Sequence, residues 1–210
     1  MSEQSPPKKR SLKPFWILLA ISGLPYLASW VYYSNMDTLP VPEASNNGEL
    51  IEPLRPIGQL SLKTLEGESL ETDDLKGNWT LATVGNSDCK EDCQRSVFFI
   101  TQVRRLMGKE RNRIRRLFVL LDKDNLSSFE QGIKQYEGVE VIDGTAGDAA
   151  ALLAHMTINE TNPQDRIFII DPLDNLMMVY DKGADPVNIA KDFRRLLTVT
   201  RIGQPKETTL

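Results

Sequence analysis

Cysteine and histidine are scarce in this chain of 210 residues: Cys89, Cys93 and His155 are all it has of either. Without a second cysteine pair there is no four-sulfur zinc site, and no Ser-His-Asp grouping for acyl transfer is visible. Glycine never gathers into a phosphate-cradling run, and no motif recurs at a fixed period, which removes nucleotide-binding loops and solenoids. Positive charge is also short. A formal net charge of -4 gives no general attraction to nucleic acid. With 40% hydrophobic and 26% charged residues the chain falls in the globular range, and its length suits one ordinary core with residues to spare.

The spare residues include one conspicuous segment. From Phe15 to Tyr33 the run FWILLAISGLPYLASWVYY holds 19 residues without a charge. At 1.5 Å per residue that reaches across a hydrocarbon core of about 30 Å. Phe15 and Trp16 at one end and Trp30, Tyr32 and Tyr33 at the other match the aromatic belts of the two headgroup regions. Lys8, Lys9, Arg10 and Lys13 precede the run, whereas the first basic residue after it is Arg55. The positive-inside bias then keeps residues 1–13 in the cytoplasm, makes 14–33 the transmembrane helix and exports the rest. A cleaved signal peptide is the rival reading. It lacks the small-x-small pattern, because Tyr26 or Leu27 would stand three residues before the cut.

Residues 34–56 carry Pro40, Pro42, Pro53 and Pro56 with Asn-Asn-Gly, which predicts an extended tether. The folded domain is expected over 57–200, with a flexible tail over 201–210. Alternation in 57-IGQLSLKTLEGESL-70 around Glu-Gly-Glu reads as a hairpin, and 79-WTLATVG-85, 116-RLFVLLD-122, 166-RIFIID-171 and 176-LMMVYD-181 read as strands. Helical patterns fall at about 88–107, 127–136, 146–156 and 186–197, the last opening on a proline and ending in basic residues. Strands separated by helices and closed by a hairpin and a helix predict an α/β domain with a mixed sheet.

Both cysteines stand in 86-NSDCKEDCQ-94. Asp88 and Glu91 have the spacing of a capping box, which would put Cys89 at the first helical position and Cys93 one turn on. Residues four apart share a helix face at a separation that a disulfide tolerates. The pair could therefore open and close, hold a soft metal ion, or staple the fold. Free amides at a helix start favour a thiolate at Cys89, while Asp88, Glu91 and Asp92 oppose it and Lys90 offsets them slightly. The bridge would close a very small loop, so a staple would remove little entropy from the unfolded chain.

The order of the hairpin, 75-LKGNWTLATVGNSDCKEDC-93, a helix, 117-LFVLLDKD-124 and 167-IFIIDPLDNL-176 resembles the Sco/SenC proteins, membrane-anchored thioredoxin-fold factors of cytochrome c oxidase assembly. The similarity spans roughly 57–197. It implies a thioredoxin-like mixed sheet flanked by helices, behind one N-terminal transmembrane helix. It also implies a bacterial inner-membrane protein with a periplasmic domain, whose partners are oxidase subunits or other assembly factors. Cys89 and Cys93 inherit the family's pair, as catalytic thiols for disulfide exchange or as copper ligands. The chain departs from the family in two places. The tight Cys-Pro segment is absent, and the family's copper-binding histidine would fall close to Pro163, within 162-NPQDR-166. His155 lies several residues earlier in a helical pattern. Pro163 could instead take the cis-proline position opposite the thiols. Missing the nitrogen ligand, the site is expected to hold Cu(II) poorly and to favour exchange over copper carriage. A non-catalytic assembly scaffold is the remaining alternative.

Two further features ask for an explanation. The stretch 104-RRLMGKERNRIRR-116 holds seven basic residues, either a solvated helix end or a docking face for anionic headgroups or an acidic partner. Asp122, Asp124, Asp171 and Asp174 could suggest a divalent ion, but beside turns aspartate ordinarily caps or meets water.

Overall fold

The computed structural model describes residues 12–35 and 46–200. Residues 1–11 of the expected tail over 1–13, residues 36–45 of the expected tether over 34–56 and the whole tail over 201–210 lie outside the described residues. The chain divides between Ser45 and Asn46 into two units.

In the first unit, helix α1 (Lys13–Ser34) contains a candidate membrane span, Phe15–Ser34, of 20 residues with mean hydropathy 1.5. No part of the span is buried against protein. Its apolar side chains point all round, as a lipid-facing helix requires and an amphipathic core helix does not. The hydroxyls of Ser22 and Ser34 donate to the carbonyls of Leu18 and Trp30, four residues back, so both are satisfied within the helix.

The second unit is built on a six-stranded mixed sheet in the order β1-β8-β7-β4-β5-β6. Its strands are β1 (Glu49–Pro56), β4 (Trp79–Gly85), β5 (Ile114–Leu120), β6 (Glu140–Asp143), β7 (Ile167–Ile170) and β8 (Asn175–Tyr180). β4, β5 and β6 run parallel, while β7 is antiparallel to β4, β8 to β7 and β1 to β8. The expected hairpin is present as a separate two-stranded sheet, β2 (Ser61–Lys63) and β3 (Ser69–Glu71), turning through Glu66-Gly67-Glu68. Helices α2 (Glu91–Leu106), α3 (Leu126–Ile133), α4 (Ala149–Met156) and α5 (Pro186–Val199) connect or follow the strands.

Alternation along the buried central strands sorts the core into two faces. Trp79 and Leu81 of β4, Ile114 of β5 and Ile167 and Ile169 of β7 pack with Ile100 and Val103 of α2 and Phe193 of α5. Trp79 and Phe193 meet edge to face with centroids 5.6 Å apart. Phe118 and Leu120 continue this face toward Val97 of α2 and Phe129 of α3. On the opposite face Ala82, Val84, Leu117, Val119, Phe168 and Ile170 meet Leu152 and Met156 of α4 and the hairpin's Leu62 and Leu70.

Residues 49–56, assigned to the tether on their prolines, instead form the edge strand β1. An edge tolerates proline because one side of its ladder needs no donor, and the pairing with β8 is irregular between Leu50 and Arg55, where Pro53 falls. The unit is fastened at its start. Buried Asp192 of α5 accepts from the amides of Asn47 and Gly48, the Asn47 side chain and the Tyr180 hydroxyl. β6 goes unread because only four residues, Glu140–Asp143, pair at the other edge.

Candidate functional site

The two cysteines are joined as a disulfide, with α-carbons 5.1 Å apart. The helix that carries them starts later than the capping-box pattern predicts. α2 begins at Glu91, Lys90 is extended, and neither Asp88 nor Glu91 caps it. Cys89 stands before the helix in a turn with φ +20°, its amide bonded to the Asn86 carbonyl at 3.1 Å. Leaving the helix draws its α-carbon toward Cys93, closer than the roughly 6 Å between residues four apart on a helix. Cys93 is the third helical residue, among the free amides of the first turn. The amide effect that was expected to single out Cys89 thus acts more on Cys93. Access points the other way: Cys93 is 4% exposed, whereas Cys89 is half-buried and reaches a surface groove.

Three elements hold the pair in place. At the end of β4, Gly85 lies directly beneath it: a β-carbon there would stand 2.9 Å from Cys93 Sγ and 2.8 Å from Phe118 Cζ, so only glycine lets the sulfur settle on the sheet. Next to Gly85 in the chain, the 86–89 turn is tied to the β5–α3 loop. The Ser87 hydroxyl and amide both donate to Asp122, and the Asn125 amide donates to Ser87 Oγ at 2.9 Å. That hydroxyl, more than any other group, holds the Asp122 carboxyl below the usual carboxylate range. Third, the Gln94 side chain donates to the Cys89 carbonyl at 2.9 Å. The acids around the pair are partly matched by Lys90, 3.1 Å from Asp88, and Arg95, 2.6 Å from Glu91 and 3.7 Å from Asp92.

The segment before β7 passes beside this site. The Asp165 amide donates to the Val84 carbonyl at 2.8 Å, and the hydroxyl of Ser96, one turn beyond Cys93 on α2, donates to the Asp165 carbonyl at 2.8 Å. Pro163 does not take the cis-proline part, since the cis peptide among the described residues is Glu52–Pro53. Nor does the segment bring a nitrogen ligand. Asp165 turns its carboxylate to Lys182 at 3.0 Å, and His155 lies on α4, which packs on the opposite face of the sheet. Among the described residues no group of three His, Cys, Asp or Glu side chains could hold a metal. The donor set is two sulfurs, which does not fit a three-ligand copper centre.

Most of the remaining polar features have structural partners. Of the seven basic residues in 104–116, Arg104 bonds the Ile114 carbonyl, Arg113 bonds Glu110 and the Thr200 carbonyl, Arg115 bonds Glu140, and Arg116 bonds Thr101 and the Glu137 carbonyl. Arg113 and Arg116 are buried, and burial brings the Arg116 guanidinium down to about 10. Arg105, Lys109 and Arg111 remain exposed. Asp171 accepts from the Leu173 and Asn175 amides, as a turn aspartate should.

Residues 79–200 match the family model described as a transmembrane-like, thioredoxin-like C-terminal domain. The chain belongs to that family. Among solved structures the thioredoxin-like domain is similar to Bradyrhizobium japonicum ScoI with copper bound, at 21% identity and TM-score 0.50, covering 66% of this chain and 97% of that one. It is also similar to yeast Sco1 with copper bound, at 12% identity and TM-score 0.57, covering 76% and 100%. A third is BsSco, described by a disulfide switch and as a member of the Sco family of cytochrome c oxidase assembly proteins, at 12% identity and TM-score 0.55, covering 70% and 96%. At these identities the likeness is one of fold, and it bears out the thioredoxin-like mixed sheet flanked by helices. No curated protein matches the chain.

Proposed function

We propose that this thioredoxin-like domain is a membrane-anchored thiol-disulfide exchanger that assists the assembly of cytochrome c oxidase from the periplasmic side of a bacterial inner membrane. The observation that carries the reading is the unequal placement of the two sulfurs, Cys89 at a groove and Cys93 buried behind it. In the reduced protein the Cys89 thiolate attacks a partner disulfide, forming a mixed disulfide and releasing one partner thiolate. Cys93 then attacks the Cys89 sulfur, releasing the second partner thiolate and closing the Cys89–Cys93 bridge. Two electrons pass to the partner, and a dithiol donor must return them before another turnover. The oxidase role rests on the fold shared with Sco proteins and on the candidate span in α1. Partner cysteines reduced in this way would be ready to take a metal.

A second reading has its own support. Two of the similar structures are Sco proteins with copper bound, and reduced thiolates as close as Cys89 and Cys93 suit soft Cu(I) as cargo. Single substitutions in the full chain separate the readings. Under exchange, Cys93→Ala accumulates a mixed disulfide with its partner and Cys89→Ala traps far less. Equal trapping by both would overturn the assignment of Cys89 as the nucleophile. Under copper carriage both variants lose Cu(I) alike and neither traps a partner. A scaffold would lose stability equally in both and keep oxidase assembly intact.

A further inference from the structure

A groove of about 140 Å³ opens between the start of α2 and α3, with Cys89 in its wall. Val97 and Phe129 form a buried floor, and Gly132, Ile133 and Tyr136 line the α3 side. An enclosed space of about 150 Å³ accepts a group the size of benzene. The room therefore suits one large aliphatic or aromatic side chain.

Gly132 has no local reason to be glycine. It lies inside α3 without a positive φ, so it does not serve as a left-handed helix cap. A β-carbon there would meet nothing within 4 Å, so no neighbour demands its absence. Glycine in a helix is disfavoured relative to alanine. What its missing side chain leaves in this structure is an open wall facing the groove.

We infer that this groove is the partner-recognition subsite of the exchange reaction: it takes an apolar side chain next to the reactive cysteine of an extended partner segment, and Gly132 keeps it open. The inference rests on the exchange reading. Attack by Cys89 would tether the partner at the mouth of the groove, so a neighbouring partner side chain has Phe129 and Val97 within reach, and burial of that side chain favours the encounter. The polar rim, including exposed Ser128 and Gln135, would face the partner's backbone.

The test uses the reduced full chain in detergent and two peptides that differ only beside a single cysteine, one with leucine and one with glycine. Each cysteine is activated as a mixed disulfide with thionitrobenzoate, and the release of that thiolate gives the rate. Hydroxyethyl disulfide, too small to need the groove, is the control, its reaction followed by the loss of the chain's free thiols as 2-mercaptoethanol leaves. The leucine peptide should react about tenfold faster than the glycine peptide, as burial of part of one apolar side chain predicts. Gly132→Leu should abolish that preference and leave the hydroxyethyl disulfide rate unchanged, and Ser128→Leu, one turn earlier on the same face of α3, should reduce the preference. Gly132→Ala, which favours the helix, should retain most of it. Equal rates for the two peptides with the wild-type chain, or a preference that survives both leucine substitutions, would overturn the groove. If no disulfide reacted, hydroxyethyl disulfide included, the exchange reading itself would fall and the inference with it.

Discussion

Replacing Gly85 by alanine tests the packing that seats Cys93. The new β-carbon would lie 2.8 Å from Phe118 Cζ, 2.9 Å from Cys93 Sγ and 3.3 Å from Phe118 Cε2. Ordinary carbon contacts need about 3.5–4.0 Å, so close to 1 Å of overlap must be relieved. The neighbours have little room. Phe118 is fully buried and packs against Phe129 with centroids 5.0 Å apart, and Cys93 is 4% exposed. Overpacking of this kind costs about 1–3 kcal/mol, and alanine recovers about 0.4–1 kcal/mol by restricting the unfolded chain. A net loss of about 1–2 kcal/mol lowers Tm by roughly 3–6 °C in a unit of this size. The disulfide should suffer more than the dithiol, because a free Cys93 side chain can rotate away from the intruding carbon. Each 1.4 kcal/mol of that difference raises the reduction potential by about 30 mV. Differential scanning fluorimetry on the oxidised full chain, with redox titration of the same variant, reads both effects. An unchanged Tm together with an unchanged potential would refute the close contact between Gly85, Phe118 and the cysteine.

Burial pushes the Asp174 carboxyl up to about 6, above its unfolded value of about 3.9, so the charged form weakens the fold above that pH and the penalty fades toward pH 4. Asparagine also accepts the φ of +69° found at this position, so Asp174→Asn should raise the unfolding midpoint at pH 7.5 and lose the advantage at pH 4. Equal midpoints at pH 7.5 would count against the buried charge. Ser87→Ala removes the donor to Asp122 and the acceptor for Asn125, which should lower stability by about 1–2 kcal/mol in urea titration and raise the pH at which Asp122 ionises, as followed by NMR. His155→Ala should leave Cu(I) retention by the reduced chain unchanged in a chelator competition, and a loss would bring His155 into the site.

Much of the fold is written locally. The run from Trp79 to Gly85 and the apolar stretch around Phe118 are legible as strands because buried strands need little but apolar length. The charge-free run from Phe15 to Tyr33 is legible because length and composition alone mark a helix apolar enough to cross a membrane. β1 escapes because Pro53 and Pro56 mark a tether in isolation, and only pairing with β8 and the hold of Asp192 on Asn47 turn the stretch into a sheet edge. The site divides along the same line. Cysteines four positions apart reveal themselves, but the first helical residue shifts from Cys89 to Glu91 once Cys89 turns aside toward Cys93. Ser96 meets Asp165 across 69 positions of chain, and nothing near either residue announces it. Gly132 carries a faint signal, a glycine inside a helical pattern, which gains meaning only beside Cys89 in the groove.

The reduction potential of the Cys89–Cys93 pair, measured by equilibrating the full chain with dithiol and disulfide buffers and trapping its free thiols, tests the exchange mechanism most directly. An exchanger must give and take electrons reversibly, so the account predicts a single two-electron couple between about -270 and -120 mV, the span of known thiol-disulfide exchange proteins. A potential below about -300 mV, where structural disulfides resist reduction, would contradict it and leave Cys89 and Cys93 as a staple.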